Sequence, residues 1–167
     1  MKALYVDECK QRPFLLAGFT IDIVEQHSLR KILRTLLLSG QRSLHFKAEN
    51  GNRKKAILSE LRKAECSVVV IRCKTKSDVK ARICALNTLI GSSSVSDCKS
   101  IVLELDETVR LRDHRFLKQQ QVLASWDHRR RHEEPLLWVA DAVAWCVNRG
   151  GEWERMVRPM ILETIDC

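Results

Sequence analysis

The chain has 167 residues, of which 29 are Lys or Arg, 21 are Asp or Glu, and 45% are hydrophobic. This length fits one domain with a substantial core, and the formal charge of +8 favours polyanionic partners without identifying one. The longest apolar run, at 136–147, is broken by Asp141 and is too short to span a bilayer, so we expect no membrane partner. Asp7 and Glu8 come before any signal-peptide core could form, so we expect a cytoplasmic protein.

Taken in chain order, the apolar spacing alternates between the period of a strand and that of a helix. The predicted strands are 3–7, 14–23, 43–46, 67–72 and 101–105. The predicted helices are 24–38, 52–64, 78–90, 112–126 and 136–148, followed by an amphipathic terminal segment that Pro159 interrupts. Residues 91–100 and 127–134 are predicted loops. Early strands in meander order, followed by alternating helices and strands, predict a mixed sheet with helices packed on it, in one domain at 1–167.

The seven cysteines are an odd, scattered set without a Cys-x-x-Cys pair. Such a set argues against a disulfide framework and against a zinc ribbon, and it favours reduced thiols. Cys66 with Cys73, or His128 with His132, has a loosely ligand-like spacing. Because neither pair has a matching second pair, we do not predict structural zinc.

Two acidic residues come at the carboxyl ends of predicted apolar strands. Asp7 ends the strand in YVDE, on the same face as Tyr5, and Asp106 ends the strand in IVLELDE, on the same face as Glu104. Ligand sites of α/β sheets collect at such strand ends. Asp is also common there and in turns for purely structural reasons.

A third acidic residue, Asp141, lies inside LLWVADAVAWCV, a segment that is apolar on every side of the predicted helix. Such a helix should be buried, and an unpaired buried carboxylate costs several kcal/mol. Asp141 must therefore be neutralised by a proton, an arginine or a metal ion.

We predict that Asp7, Asp106 and Asp141 converge to hold Mg²⁺ or Mn²⁺. Three carboxylates from separate elements are the oxygen ligands that these cations need. Two such ions can activate a water and stabilise the leaving oxygen of a phosphodiester. Without cations, like charges at this spacing raise each other's pKa, so the arrangement makes sense when metal occupies it.

Four motifs, taken in order, resemble a poorly characterised prokaryotic family that is catalogued as a domain of unknown function. The motifs stand at 5–8 (YVDE), 44–47 (LHFK), 103–106 (LELD) and 134–145 (EPLLWVADAVAW). The family is considered RNase H-like in fold and metal-dependent nuclease in activity. The resemblance therefore implies an α/β protein with an RNase H-like mixed β-sheet flanked by helices.

The resemblance also implies roles for individual residues. The metal carboxylates it implies are Asp7, Asp106 and Asp141; it makes Glu8 an auxiliary acid and puts His45 and Lys47 near the site. The chain departs from the family at Cys9, where a small residue such as Ser is usual, and at Trp138, where Gln is usual. Neither departure removes a carboxylate, but Trp138 would narrow the pocket or alter which substrate fits.

Other polar residues are weaker candidates. His45 is suited to polarise a phosphate, shuttle a proton or orient a metal-bound water, or it is a partly buried histidine bonded to backbone. Glu49 and Glu134 are candidate fourth carboxylates, although the helix dipole alone favours Glu134 at its position. Among the basic clusters, the loop that abuts the Asp141 helix is preferred for phosphate contacts over the helix face at 53–55. Its basic residues are Arg129, Arg130 and Arg131.

The preferred interpretation is a metal-dependent nuclease, a hydrolase acting on RNA or DNA, with Glu8 and His45 tuning the water and the ligands. One alternative is an RNase H-like module that binds nucleic acid or another partner with little catalysis, in a mobile-element, toxin or defence system. Another is a metal-dependent phosphatase on a small substrate, which the +8 charge disfavours. The terminal segment with Trp153, Met156 and Met160 packs on its own domain or forms a homodimer, and the sequence leaves both open.

Overall fold

A computed structural model describes all 167 residues, which form one six-stranded sheet covered by helices on both faces. The strands are β1 (Lys2–Cys9), β2 (Phe14–Asp22), β3 (Ser67–Cys73), β4 (Cys98–Glu104), β5 (Ser125–Arg129) and β6 (Ile161–Asp166). The helices are α1 (Gln26–Thr35), α2 (Gly51–Lys63), α3 (Asp78–Gly91), α4 (Arg110–Gln119), α5 (Leu137–Arg149) and α6 (Gly151–Val157). The predicted mixed α/β architecture is confirmed.

The order of strands across the sheet is β5-β4-β1-β2-β3-β6. The first three strands pair antiparallel as a meander, β4 and β5 join parallel on the β1 side, and β6 joins β3 in parallel. Because β1 and β4 are parallel, their carboxyl ends meet at one edge of the sheet, as the positions of the acidic residues predicted.

Two hydrophobic cores lie on opposite faces of the sheet. The helices α1, α2, α5 and α6 cover one face, and α3 and α4 cover the other. In β1, Tyr5 faces the first core and Leu4 and Val6 face the second, so this strand is buried on both sides. Gly18 on β2 allows close packing, because a Cβ there would lie 2.8 Å from a methyl carbon of Leu89 on α3.

The helix α5 is buried almost throughout, because its sequence is apolar on every side. It packs against β1 and β2, and Asp141 is one of its buried residues. Gly150 and Gly151 have φ values of 73° and 59° and form the turn into α6, a conformation that glycine adopts without strain. No helix is both long enough and apolar enough to cross a membrane.

Several predicted boundaries are wrong. Residues 43–46 form no strand, and a short 3-10 helix, Phe46–Ala48, begins at the last of them. The predicted helix at 112–126 ends at Gln119, and β5 takes up part of the predicted loop at 127–134. Likewise, β4 begins at Cys98, inside the predicted loop at 91–100. The terminal segment contains α6 and then the edge strand β6, which local periodicity did not reveal.

Candidate active site

Three carboxylates meet around one guanidinium at the carboxyl edge of β1 and β4, and we call Asp7, Glu104 and Asp141 the carboxylate cluster. The Arg131 side chain donates to all three: its Nη2 lies 3.3 Å from Asp7 Oδ2, and its Nη1 lies 3.3 Å from Asp141 Oδ2. Towards Glu104 it forms a two-pronged pair, with N···O distances of 2.9 and 3.0 Å. Such planar pairing suits a guanidinium.

Each carboxylate of the cluster comes from a different element. Asp7 lies on β1 and is 2% exposed, and its other oxygen accepts from the backbone N–H of Glu8 at 2.7 Å. Glu104 is the last residue of β4, and because Val6 pairs with Leu103, it stands beside Asp7 across the two parallel strands. Asp141 reaches in from α5 and accepts from the backbone N–H of Phe46 at 2.9 Å.

The cluster carries more negative charge than its arginine neutralises. Three carboxyl groups face one guanidinium in a largely buried site. Burial, together with the neighbouring Glu104 and Asp141 carboxylates, raises the pKa of Asp7 well above its usual range, although Arg131 opposes the shift. The raised pKa favours the protonated form of Asp7, and Glu104 and Asp141 still supply two acidic groups to a single guanidinium. Carboxylate oxygens are the ligands that a divalent cation of the Mg²⁺ or Mn²⁺ class prefers.

Asp106 lies near the cluster but has partners of its own. Its carboxylate accepts from Lys10 Nζ at 2.6 Å and from the hydroxyl and backbone N–H of Thr108 at 2.6 and 2.9 Å. These hydrogen bonds hold the pKa of Asp106 below its usual range. An open cleft of about 370 Å³ nevertheless has both Asp106 and the buried Asp7 in its lining. Asp106 therefore sits at the rim of the same site, while Glu104 occupies the place beside Asp7.

The sequence pattern places Glu104 on the same face of the predicted strand as Asp106 but does not indicate it as a site residue. The signal that distinguishes the two is the strand register. Because β4 ends at Glu104, Asp106 lies two residues beyond the strand, about 7 Å further along an extended chain. The pairing of β1 with β4 is a long-range contact that the sequence pattern does not contain.

Glu8 points to the opposite face of β1 from Asp7. It pairs with the guanidinium of Arg82 on α3 and lies 3.5 Å from Lys10 Nζ. Arg82 also donates to both oxygens of Asp113 at 2.9 and 2.7 Å, and His128 Nε2 lies 3.1 Å from Asp113 Oδ2. Burial alone would raise the pKa of Asp113, but the bonds from His128 and Arg82 hold it below the usual value. Glu8 nevertheless contributes to the lining of the same cleft as Asp7 and Asp106, and this chain of contacts holds it there.

His45 lies at the open side of the cluster. Its Nδ1 contacts Arg131 Nη1 and is 3.7 Å from Asp141 Oδ2, and its side chain is 53% exposed. Leu44 and Phe46, on either side of it, are buried. His45 is therefore accessible to a ligand and also touches the cluster.

The predicted phosphate-binding residues differ in exposure and in partners. Arg129 and Arg130 are exposed and pair with Asp127 at 2.7 Å and Glu107 at 3.7 Å. Lys47 is exposed, two residues after His45. Arg131 instead turns inward to the carboxylates.

The indole of Trp138 anchors the segment that delivers Arg131. Its Nε1 donates to the Arg131 carbonyl at 2.8 Å. The position of Arg131 therefore depends in part on Trp138.

The two candidate fourth carboxylates lie outside the cluster. Glu134 forms a two-pronged pair with Arg30, at 2.9 and 2.8 Å, and that arginine also contacts the Tyr5 hydroxyl. Glu49 accepts from Arg53 at 3.3 Å and from Gln41 at 2.9 Å. Both carboxylates therefore already have partners.

Comparison with known proteins supports the fold. No protein-family model and no curated protein matches the chain. The strand order, the mixed pairing and the helices on both faces define the RNase H-like class of α/β fold. A solved structure that matches is the PCNA:RNase HII complex from Archaeoglobus fulgidus, with a TM-score of 0.51 and 16% identity over 93% of this chain and 74% of that one.

Proposed function

We propose that the chain is a divalent-metal-dependent nuclease that hydrolyses phosphodiester bonds in RNA or DNA. The observation that carries the proposal is the carboxylate cluster, which gathers three acidic side chains from three elements around a single guanidinium. The likeness to the RNase HII complex is one of fold, and it is consistent with this chemistry.

The residues in and around the carboxylate cluster have different roles in this proposal. Asp7, Glu104 and Asp141 would hold Mg²⁺ or Mn²⁺. Asp106, which the sequence predicted as one of three metal carboxylates with Asp7 and Asp141, would be a further ligand at the rim. A cation bound there would supply the positive charge that attack on a phosphodiester requires. His45, exposed beside Asp141, is placed to accept or donate a proton at the open side of the site.

Arg131 has a separate part in this proposal. Its guanidinium pairs with all three carboxylates of the cluster. A divalent cation held by those carboxylates would repel the guanidinium, which would then be available to a substrate phosphate. Trp138 holds the Arg131 backbone in place throughout. Exposed Arg129 and Arg130 and the nearby Lys47 would contact further phosphates without reading sequence.

The cleavage assay that tests the proposal uses labelled single-stranded, duplex and hybrid RNA and DNA, with Mg²⁺, Mn²⁺ or EDTA. We expect cleavage with metal alone, and a loss of at least 100-fold in Asp7→Asn and in Asp141→Asn, because each removes a metal ligand. Asp97→Asn is the matched control, since Asp97 pairs with Lys2 at the other end of the sheet and is 58% exposed. Each variant is first shown to be folded by circular dichroism.

A second function is favoured by one observation. Arg131 contacts every carboxylate of the cluster, so the site is held together without a cation. A module that binds nucleic acid or a partner protein with little catalysis would have this property. If no substrate is cleaved and no divalent ion raises the melting temperature, this binding module becomes the better account.

A further inference from the structure

Three cysteine thiols converge on the face of the sheet opposite the carboxylate cluster. Cys73 ends β3, Cys84 lies on α3, and Cys167 follows β6. Their sulfur atoms all lie within 4.8 Å of one another. We call these three residues the thiol cluster.

The fold brings these residues together from distant parts of the chain. Strands β3 and β6 are parallel with Arg72 opposite Asp166, and the backbone N–H of Cys167 donates to the Arg72 carbonyl at 2.9 Å. Cys73 and Cys167 therefore stand side by side at neighbouring strand ends. Helix α3 packs on this face of the sheet, so Cys84 approaches the two thiols from the helix.

The spacing of the sulfurs suits a thiophilic cation. A Zn²⁺ ion with Zn–S bonds of about 2.3 Å in tetrahedral geometry places its sulfurs about 3.8 Å apart. Sulfurs within 4.8 Å of one another reach that distance by small rotations about the Cα–Cβ bonds. A disulfide, with its bond of about 2.05 Å, would unite only two of the three and leave the third unpaired.

Burial indicates how such an ion would be coordinated. Cys73 is buried, Cys167 is partly buried and Cys84 is exposed, so the cluster opens to solvent on one side. No fourth His, Cys, Asp or Glu joins the group. The fourth ligand of a tetrahedral ion would therefore be water or a small solute.

We propose that Cys73, Cys84 and Cys167 form a zinc site with three thiolate ligands and one position open to solvent. The proposal does not rest on the nuclease function, because sulfur ligands select a softer cation than carboxylate oxygens do. The ion would tie the edge strand β6 to β3 and α3.

The test is a titration of the full-length protein with Co²⁺ under a phosphine reductant, followed by displacement with Zn²⁺. Thiolate ligands give Co²⁺ an intense charge-transfer absorption that carboxylates do not. The variants are Cys84→Ser and Cys167→Ser, with Cys66→Ser as the matched control, since Cys66 precedes the other end of β3 and is also partly buried. Because Cys84 is exposed, its substitution leaves folding intact.

We expect the wild-type protein to bind one equivalent with the thiolate absorption, and Zn²⁺ to displace it and raise the melting temperature relative to EDTA. Binding should weaken at least tenfold in Cys84→Ser and in Cys167→Ser, and it should persist in Cys66→Ser and Asp141→Asn. Absence of the thiolate absorption in the reduced wild type would overturn the proposal. Binding of Co²⁺ by Cys84→Ser and Cys167→Ser as tightly as by the wild type would also overturn it. Persistence in Asp141→Asn also separates this site from the carboxylate cluster.

Discussion

Arg131 contacts three carboxylates from three elements, so the charge state of the whole site depends on this one side chain. From the sequence it appeared equivalent to Arg129 and Arg130, as part of a basic run. Arg129 ends β5 and both Arg130 and Arg131 follow it, but it is the Arg131 carbonyl that Trp138 holds. At the residue scale, identity alone did not separate an arginine that faces solvent from one that enters a site.

The two acidic residues at the end of β4 should contribute unequally to catalysis. We expect Glu104→Gln to lower metal-dependent cleavage at least 100-fold, because Glu104 stands beside Asp7 in the cluster. Asp106→Asn should lower it less, by about tenfold, since Asp106 lies at the rim and pairs with Lys10. Single-turnover cleavage rates in Mn²⁺ measure both. The reverse order would return Asp106 to the central role that the sequence predicted.

At the scale of elements, the contact between α3 and α4 depends on a buried ion pair. Asp113 of α4 is fully buried, and it accepts two bonds from Arg82 of α3. Arg82 in turn holds Glu8 of β1. The pair therefore links two helices of the second core to the strand that carries Asp7.

Asp113→Asn should destabilise the fold by about 3 kcal/mol at neutral pH, because it removes one partner of a buried charge pair. The native pKa of Asp113 is lowered, so its contribution is fully present above the unfolded pKa of about 3.9 and is lost as pH falls through the native pKa. Urea unfolding at pH 7 and at pH 3 measures the difference in free energy of unfolding between the wild type and Asp113→Asn. This difference should be smaller at pH 3. The exposed Asp97→Asn should change stability by no more than about 0.5 kcal/mol. A larger difference in free energy of unfolding at pH 3 than at pH 7 would contradict a stabilising ion pair between Asp113 and Arg82.

For the whole molecule, the apolar pattern of the sequence predicts those strands and helices whose own residues are strongly apolar. The strands β1, β2 and β3 and the buried helix α5 carry strong apolar signals, and they appear where the sequence predicts them. Strands β5 and β6 do not. β5 (SWDHR) has one apolar residue, and β6 (ILETID) has three but no fully buried side chain, so both form strands by pairing with β4 and β3.

The same limit applies to the sites. The convergence of Asp7 and Asp141 could be predicted from the sequence, because Asp7 ends an apolar strand and Asp141 lies inside a buried helix. The place of Glu104 depends on the register between β1 and β4, and the thiol cluster depends on three elements far apart in the chain. Neither follows from spacing along the chain.

Tertiary contacts show where the terminal segment with Trp153, Met156 and Met160 packs. Trp153 packs edge-on against Trp145 with ring centroids 5.5 Å apart, and Met160 is buried in the first core. This segment therefore covers its own core, which was one of the two alternatives that the sequence left open.

The most direct test of the account measures Mn²⁺ binding by electron paramagnetic resonance in the wild type, Arg131→Gln and Asp141→Asn. If the carboxylate cluster is a divalent-metal site, Arg131→Gln removes a competing positive charge and should bind Mn²⁺ at least tenfold more tightly, about 1.4 kcal/mol. Asp141→Asn should bind more weakly than the wild type by a similar factor. Failure of both the wild type and Arg131→Gln to bind Mn²⁺ would contradict the account and leave the arginine as the permanent partner of the three carboxylates.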